Sequence, residues 1–261
     1  MADNFRNANR QRIEHIEACF GSQGRPLNQD GRILVGEGVL IKMCRKKPKP
    51  RQIFLFNDLL VYGSILISKK RYHKQRVIPL QQVQLENLED EADKHGWVVR
   101  ARGKSFAVYA ATAKEKAEWM LHIERCVQEL IKNGARPDSV HAAVWIPDSE
   151  ATVCMCCHET QFTLLHRRHH CRSCGHVVCG ACSLKRFVIP GVDKRPVRVC
   201  NRCYQKLSIG DNSVIRTRTE QASESDDSDD DEEVPEVPAS PQNPTTFYGG
   251  REGPSTSAVT M

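Results

Sequence analysis

The sequence contains no long apolar run and few aromatic residues. Its apolar stretches fall short of the roughly 18 to 20 residues that a helix needs to cross a bilayer. Aromatic residues make up 6% of the 261 positions and charged residues 27%. The amino-terminal stretch MADNFRNANRQRIEHIEACF also lacks the apolar segment of a secretory signal. These absences argue against a membrane-spanning protein and predict a globular chain with polar extensions in the reducing cytosol or nucleus.

Disulfide bonds are not expected in that compartment, so the twelve cysteines need another explanation. Eight of them form four Cys-x-x-Cys pairs, separated by 13, 4 and 17 residues. The pairs are Cys154/Cys157, Cys171/Cys174, Cys179/Cys182 and Cys200/Cys203. Eight thiolates suffice for two tetrahedral zinc sites, with sequential and interleaved use of the pairs both open. Sites filled by sulfur leave no position for a catalytic water, so two structural Zn²⁺ ions are predicted.

Charge is distributed unevenly along the chain. Residues 211–261 hold 12 acidic and 3 basic side chains, and because the whole chain carries +6, residues 1–210 carry +15. A basic body predicts an anionic partner, either a membrane surface or nucleic acid. Nucleic acid is the weaker interpretation, because aromatic residues do not alternate with the basic stretches. The acidic run SESDDSDDDEE either solubilises a disordered tail or competes with lipid for a basic pocket.

Residues 38–110 contain seven short apolar segments separated by turn residues. They are GVLIKM, QIFLFN, LLVYG, RVIPL, VQLENL, GWVVRA and SFAVYA. These segments predict a small antiparallel barrel or sandwich. A helix is predicted to follow, because Thr112 is a cap, Glu115 completes a capping box and Trp119 begins an apolar face. With a short amphipathic helix over residues 10–20, the pattern indicates an α+β fold.

This order of strands and closing helix resembles the pleckstrin-homology (PH) domain, in which a buried tryptophan occupies the position of Trp119. The first hairpin, KMCRKKPKPR, matches the Lys-x(n)-Lys/Arg-x-Arg signature of PH domains that bind phosphoinositides. The resemblance implies a seven-stranded antiparallel barrel capped by its carboxy-terminal helix, with Lys42, Lys49 and Arg51 as lipid-binding residues. Such side chains hold phosphates by charge-assisted hydrogen bonds. The alternative is a solvated turn, since many PH domains bind lipid weakly or not at all.

Three short motifs accompany the cysteines: WIPD at 145–148, RRHHCR at 167–172 and RVC at 198–200. With the eight cysteines, they resemble the FYVE zinc finger. The resemblance implies interleaved pairs, with one ion bound by Cys154, Cys157, Cys179 and Cys182 and the other by Cys171, Cys174, Cys200 and Cys203. Cys156 could compete with Cys157, but the two-residue spacing favours Cys157. A RING-type ubiquitin ligase also interleaves eight ligands, but it usually includes a histidine ligand and lacks these motifs.

Phosphatidylinositol 3-phosphate is the ligand that the FYVE resemblance implies. The residues expected to clamp its phosphates are Arg167, Arg168, Arg172 and Arg198. Asp148 can accept hydrogen bonds from inositol hydroxyls. His169 and His170 can donate, more strongly when protonated, which predicts tighter binding near about pH 6. Leu164 and Leu165 lie where the family carries a membrane-inserting loop; the alternative is that both belong to the core.

The order of a PH domain and a FYVE finger, with stretches such as FLFNDLLVYG and HAAVWIPDSEATVCM, resembles the phafin family of endosomal adaptors. The resemblance implies a cytoplasmic, non-enzymatic adaptor that binds phosphatidylinositol 3-phosphate on early endosomes and also serves lysosomal or autophagic membranes. Unidentified trafficking proteins are its expected further partners, and nucleic acid is not. Larger exchange factors also combine these domains, but they need a catalytic helical domain for which the stretch before the PH domain leaves no room.

The expected organisation has five parts. They are a helix and linker over 1–34, a PH domain over 35–132, a linker over 133–144, a FYVE-type zinc finger over 145–208 and a disordered acidic tail over 209–261.

Overall fold

The computed structural model describes residues 2–66, 71–210 and 245–248. The acidic run and most of the expected disordered tail lie outside these ranges, so both interpretations of the acidic run stay open. Within the described ranges, the structure contains no helix long and apolar enough to span a membrane.

Seven antiparallel strands and one long helix form the first module. Their bounds are β1 Leu34–Lys42, β2 Lys49–Phe56, β3 Leu59–Ile65, β4 Tyr72–Pro79, β5 Gln84–Asn87, β6 His95–Arg100, β7 Phe106–Ala110 and α2 Ala113–Lys132. The strands pair in the order β4-β3-β2-β1-β7-β6-β5. Each predicted apolar segment forms a strand, and the predicted PH-type α+β architecture is confirmed.

Helix α2 begins at the predicted cap and packs its apolar face on the sheet. Thr112 Oγ1 accepts a hydrogen bond from the Glu115 N–H at 3.1 Å. The Glu115 carboxylate in turn accepts from the N–H of Ala111 at 2.9 Å, one residue before the cap. Trp119 and Ile123 are fully buried in the main core, between the helix and the sheet. The helix therefore closes the module, as its apolar spacing predicts.

A second apolar cluster lies on the other face of the sheet. Helix α1 spans Ala2–Phe20, longer than the predicted 10–20, and packs Ile13 and Ile16 against Phe54 of β2. Six consecutive residues of β2 are buried. Burial on both faces explains why the segment QIFLFN shows no alternation of apolar and polar residues. Helix α1 is thus packed on the strands and does not stand apart from them.

The second module has little regular structure. Its elements are β8 His169–His170, β9 Val177–Val178, β10 Arg186–Phe187, β11 Val197–Arg198 and helix α3 Asn201–Gly210. β8 pairs with β9 and β10 with β11, both antiparallel. Four of the six residues in its buried core cluster are cysteines, and the other two are Val178 and Val199. A core with so few apolar side chains needs metal ligation to offset the chain entropy lost on folding.

Residues 245–248 correct one expectation about the tail. Strand β12, Thr246–Phe247, pairs antiparallel with the first half of β1. The disorder expected over 209–261 is therefore wrong for these residues, and α3 extends to Gly210. A Thr-Thr-Phe-Tyr sequence has high strand propensity. The edge of β1 is open there because β7 pairs with its other end, at Ile41 and Lys42.

Replacing Ile16 with Ala should lower the free energy of unfolding by about 2 to 5 kcal/mol, because a buried side chain is removed and a cavity remains. Urea denaturation of the full chain measures the change. Gln11→Ala, at an exposed position of the same helix, is the control and should shift the unfolding free energy by less than about 0.5 kcal/mol. Equal stabilities of the two variants would show that α1 contributes nothing to the folded module.

Candidate functional site

The finger contains two clusters of four cysteines, and within each cluster the sulfur atoms lie within 4.8 Å of one another. The clusters are Cys154, Cys157, Cys179 and Cys182, and Cys171, Cys174, Cys200 and Cys203. The pairs therefore interleave, as the FYVE resemblance implies. Four thiolate donors per cluster fit tetrahedral Zn²⁺ and fill all its coordination positions. The prediction of two structural zinc sites is confirmed.

Backbone N–H groups point at the buried sulfur atoms of both clusters. The N–H of Cys179 donates to Cys154 Sγ, and the N–H of Cys200 donates to Cys171 Sγ, each at 3.2 Å. Such bonds stabilise the thiolate, which is the form that binds the metal. A hydrogen bond with Cys174 lowers the pKa of the Cys171 thiol, whereas burial raises the pKa of the Cys154 thiol despite its backbone hydrogen bonds.

Cys156 lies outside both clusters. Its backbone N–H donates to Cys154 Sγ at 3.4 Å, while its own sulfur is not among the four that converge. A hydrogen bond with the Thr160 hydroxyl lowers the pKa of Cys157 to about 6. The structure therefore favours Cys157 over Cys156 as the ligand.

The turn after Cys174 requires a glycine. Gly175 has φ +78°, and a Cβ at this position would lie 2.0 Å from the carbonyl oxygen of Val144. The N–H of Ile146 donates to the Gly175 carbonyl at 3.1 Å. Because glycine has no Cβ, the WIPD segment can lie directly against the turn of the second cysteine cluster.

The three motifs meet next to that cluster. The Trp145 ring stacks on His170, with centroids 4.8 Å apart, and the Arg172 guanidinium lies 4.1 Å from the Trp145 centroid. Asp148 Oδ1 is 3.8 Å from His170 Nε2. The N–H of Arg172 donates to the carbonyl of Arg198 at 2.9 Å, which joins the RVC segment to the same group. Residues far apart in sequence therefore form one polar surface held by the metal cluster.

The remaining predicted phosphate ligands are held by backbone contacts or lie exposed. Arg168 Nε donates to the carbonyl of Ala151 at 3.2 Å, and its guanidinium lies 5.0 Å from the Phe162 centroid. Arg198 donates to the carbonyl of Ser183 at 3.0 Å. Arg167 is exposed. The four arginines thus differ in how firmly the protein positions them before any ligand arrives.

His170 is buried, unlike its neighbour His169, which is half-buried. The Nε2 of His170 lies 2.7 Å from the Ile146 carbonyl oxygen. Burial lowers the pKa of His170, against the opposing effects of the Ile146 carbonyl and the Asp148 carboxylate. Protonation of His170 in mild acid is therefore disfavoured, and its geometry gives no support to tighter binding near about pH 6.

Leu164 and Leu165 form an exposed apolar tip, with 96% and 90% of their surface accessible. The Thr163 hydroxyl oxygen accepts hydrogen bonds from the N–H groups of Leu165 and His166, at 3.3 and 3.1 Å. These bonds fix the turn that presents the two side chains. The alternative that both leucines belong to the core is wrong.

The predicted PH site lies where β1 and β2 meet the turn of the first hairpin. Lys42 of β1 pairs in register with Lys49 of β2. Lys42 and Arg51 are 2% and 7% exposed, and Lys42 Nζ lies 4.8 Å from the Phe106 centroid. Because both side chains are buried, the alternative of a solvated turn does not fit Lys42 and Arg51. It fits only the exposed tip of the hairpin.

A cavity of about 530 Å³ lies between this hairpin and the finger. Basic residues from both modules line it: Lys42, Arg45, Arg76, Lys104 and Arg172. Arg76 and Lys104 are absent from the sequence-based prediction because β4 and the turn before β7 lie far from the hairpin signature. A basic residue within β4 and another in the turn before β7 were the signal that could have indicated them.

Arg45 and Asp148 connect the two modules. Arg45 Nε lies 3.5 Å from Asp148 Oδ2, and the N–H of Asp148 donates to the Arg45 carbonyl at 2.8 Å. Asp148, the predicted inositol ligand, is therefore already engaged by the PH module. Sequence spacing gave no indication of this contact, because the two residues are close only after both modules have folded.

Comparison with known proteins identifies the same two modules. The family model described as FYVE zinc finger matches residues 144–209, and the model described as SOS1/NGEF-like PH domain matches residues 21–126. The chain is 55% identical to pleckstrin homology domain-containing family F member 2 of Gallus gallus, over 86% of this chain and 92% of that protein. It is 49% identical to family F member 1 of Homo sapiens, over 86% and 80%. Among solved structures, the FYVE domain LM5-1 of Leishmania major is 41% identical with a TM-score of 0.25, over 29% of this chain and 90% of that one.

The purified chain should contain two zinc ions, measured by elemental analysis together with release by a thiol reagent. Cys200→Ser should reduce the content to one ion or fewer, because it removes one of four ligands and leaves the second cluster incomplete. Cys156→Ser is the matched control and should retain both ions. Loss of zinc from the Cys156 variant, or one ion in the unaltered chain, would contradict this assignment.

Proposed function

Because the chain belongs to pleckstrin homology domain-containing family F, the phafin family, we propose that it is a non-enzymatic adaptor recruited from the cytoplasm to early endosomes by phosphatidylinositol 3-phosphate. The observation that carries the proposal is the meeting of the WIPD, RRHHCR and RVC motifs beside a zinc cluster. Both domains are of families that typically bind lipids without catalysis. The same adaptor would also bind lysosomal or autophagic membranes. It would act in endosomal trafficking, autophagy or lysosome-linked cell death, and trafficking proteins would be its partners.

The chemistry of the finger suits a doubly phosphorylated inositol. Arginine binds phosphate through bidentate, charge-assisted hydrogen bonds, and the proposed clamp consists of Arg167, Arg168, Arg172 and Arg198. Zinc ligation of Cys171 and Cys200 fixes the backbone beside these arginines, so less freedom is lost when the ligand binds. His169 and His170 are the further proposed donors, and His170 would have to exchange its contact with the Ile146 carbonyl for one with the ligand. Asp148 would accept from the inositol hydroxyls after its contact with Arg45 is broken.

The leucine tip gives the finger a second kind of membrane contact. Leu164 and Leu165 are fully presented on a hydrogen-bonded turn, and such exposed apolar pairs mark interaction sites. Full burial of both would contribute roughly 3 to 6 kcal/mol at most, and each nearby basic residue about 1 kcal/mol on an anionic surface. Those magnitudes support reversible attachment.

The PH module would supply a second lipid contact through Lys42, Lys49 and Arg51. Lys42 lines the basic cavity, to which the finger contributes Arg172. Two lipid sites on one chain bind a membrane more strongly than either alone, because the second binding event is intramolecular. Both modules would therefore bind the same bilayer.

Leu164→Ala/Leu165→Ala should weaken binding to vesicles that contain phosphatidylinositol 3-phosphate by about tenfold or more. Affinity for the soluble headgroup and zinc content should stay unchanged, because neither depends on insertion. Vesicle flotation and calorimetry measure these quantities. Leu184→Ala, at another exposed leucine of the finger, is the control. An equal loss in the control, or none in the double variant, would exclude insertion of this tip.

Arg167→Ala/Arg168→Ala should reduce affinity for phosphatidylinositol 3-phosphate vesicles by about tenfold or more, because each charge-assisted bond contributes about 1.5 to 3 kcal/mol. Vesicles with other phosphoinositides and a duplex DNA sample test specificity in the same assay. Arg6→Ala/Arg10→Ala removes the same charge from exposed positions of α1. Similar losses in both variants would indicate general charge attraction, and tighter binding to DNA would exclude the adaptor function.

A further inference from the structure

Residues 245–248 occupy a groove on the PH module between β1 and α2, hereafter the tail groove. Gly36 pairs in register with Phe247, and Glu37 with Thr246. The N–H of Tyr248 donates to the carbonyl of Val35 at 2.7 Å. The segment therefore binds as an added strand on an open sheet edge, a recurrent mode of peptide recognition.

Side chains of α2 form a specific pocket for this strand. Phe247 packs edge-on against Trp119, with centroids 5.1 Å apart, and stacks on His122 at 4.1 Å. The buried indole N–H of Trp119 donates to Thr245 Oγ1 at 3.2 Å, and the Thr245 hydroxyl donates to the Glu115 carboxylate. A fully buried indole N–H needs an acceptor, and here the tail supplies one.

Tyr248 makes a further contact at the end of the groove that adjoins α1. Its hydroxyl donates to the Glu37 carboxylate at 2.6 Å, and the Arg12 guanidinium lies 4.3 Å from its ring centroid. Helix α2 thus contacts Thr245 and Phe247, whereas β1 and α1 both contact the Tyr248 side chain. Contacts that alternate between pockets in this way give sequence specificity to a bound strand.

Two glycines of β1 keep the tail groove open. A Cβ at Gly36 would lie 2.3 Å from Phe247 Cδ1, and a Cβ at Gly38 would lie 2.4 Å from Thr245 Oγ1. For both glycines, the three nearest atoms that a Cβ would meet belong to the tail. A side chain at either position would therefore meet the tail first, and the Gly-Glu-Gly sequence fits the close approach of another strand.

We propose that the tail groove is a peptide-binding site, distinct from both lipid sites, that recognises a Thr-Thr-Phe-Tyr strand, and that residues 245–248 are its displaceable intramolecular ligand. The interface between the segment and the groove consists of four residues, held by strand pairing and one aromatic anchor. It is small compared with the two apolar clusters of the PH module. The same chain supplies the ligand, so docking needs no second molecule and a free peptide must compete with it. When the segment leaves, the groove exposes a strand edge and the Trp119 indole.

Binding of a fluorescent peptide, NPTTFYGGR (residues 243–251), to full-length chains tests the proposal. The Phe247→Ala chain should bind the peptide about tenfold or more tightly than the unaltered chain, because its own segment no longer fills the groove. Fluorescence anisotropy measures both affinities. Equal affinities would overturn the proposal.

Two controls connect that binding to the tail groove. Adding Gly36→Ala/Gly38→Ala to the Phe247→Ala chain should abolish peptide binding, whereas adding Gly103→Ala, where a Cβ meets open space, should not. A peptide with alanine in place of its phenylalanine should not bind, and this arm requires no change to the protein. Binding that survives the loss of the peptide phenylalanine would overturn the proposal, as would binding that survives both glycine substitutions. Zinc content and urea denaturation verify that each chain is folded.

Discussion

Ligation of zinc by thiolates is the interaction on which the lipid-facing part of this protein depends. The finger has a small apolar core, and its backbone directions are set by two cysteine clusters. Two of the motifs proposed to bind lipid contain a zinc ligand, Cys171 in RRHHCR and Cys200 in RVC. Metal binding energy therefore does for this module what apolar burial does for the PH module: it offsets the entropy of ordering the chain.

The two modules meet where their basic residues are concentrated. The Arg45–Asp148 pair and the cavity beside it place PH and FYVE cations around one volume. Glu150 and Asp193 also line this cavity, so its basic residues lie among acidic ones. Because Asp148 already contacts Arg45, headgroup binding at the finger and the contact between the modules are expected to influence each other.

Local patterns predicted a large part of the structure. The capping box at Thr112, the apolar face with Trp119 and the four Cys-x-x-Cys pairs depend on short-range spacing, and each is found as predicted. Predictions were weaker where burial depends on a distant partner. The PH cations Lys42 and Arg51 are buried, and so is His170, because neighbouring strands and Trp145 cover them. The sequence around a basic or titratable residue does not show which distant residues will pack over its side chain.

Short-range patterns were enough to predict the two modules, the metal and the side chains proposed for lipid, because helix caps, apolar strand segments and ligand spacing involve neighbours in the chain. The packing of α1 on β2, the place of Arg76 and Lys104 in the basic cavity and the pairing of residues 245–248 with β1 depend on tertiary contacts. Those contacts join residues up to 211 positions apart, as in the Tyr248–Glu37 hydrogen bond. Their energies depend on surfaces that exist only after the separate elements have folded.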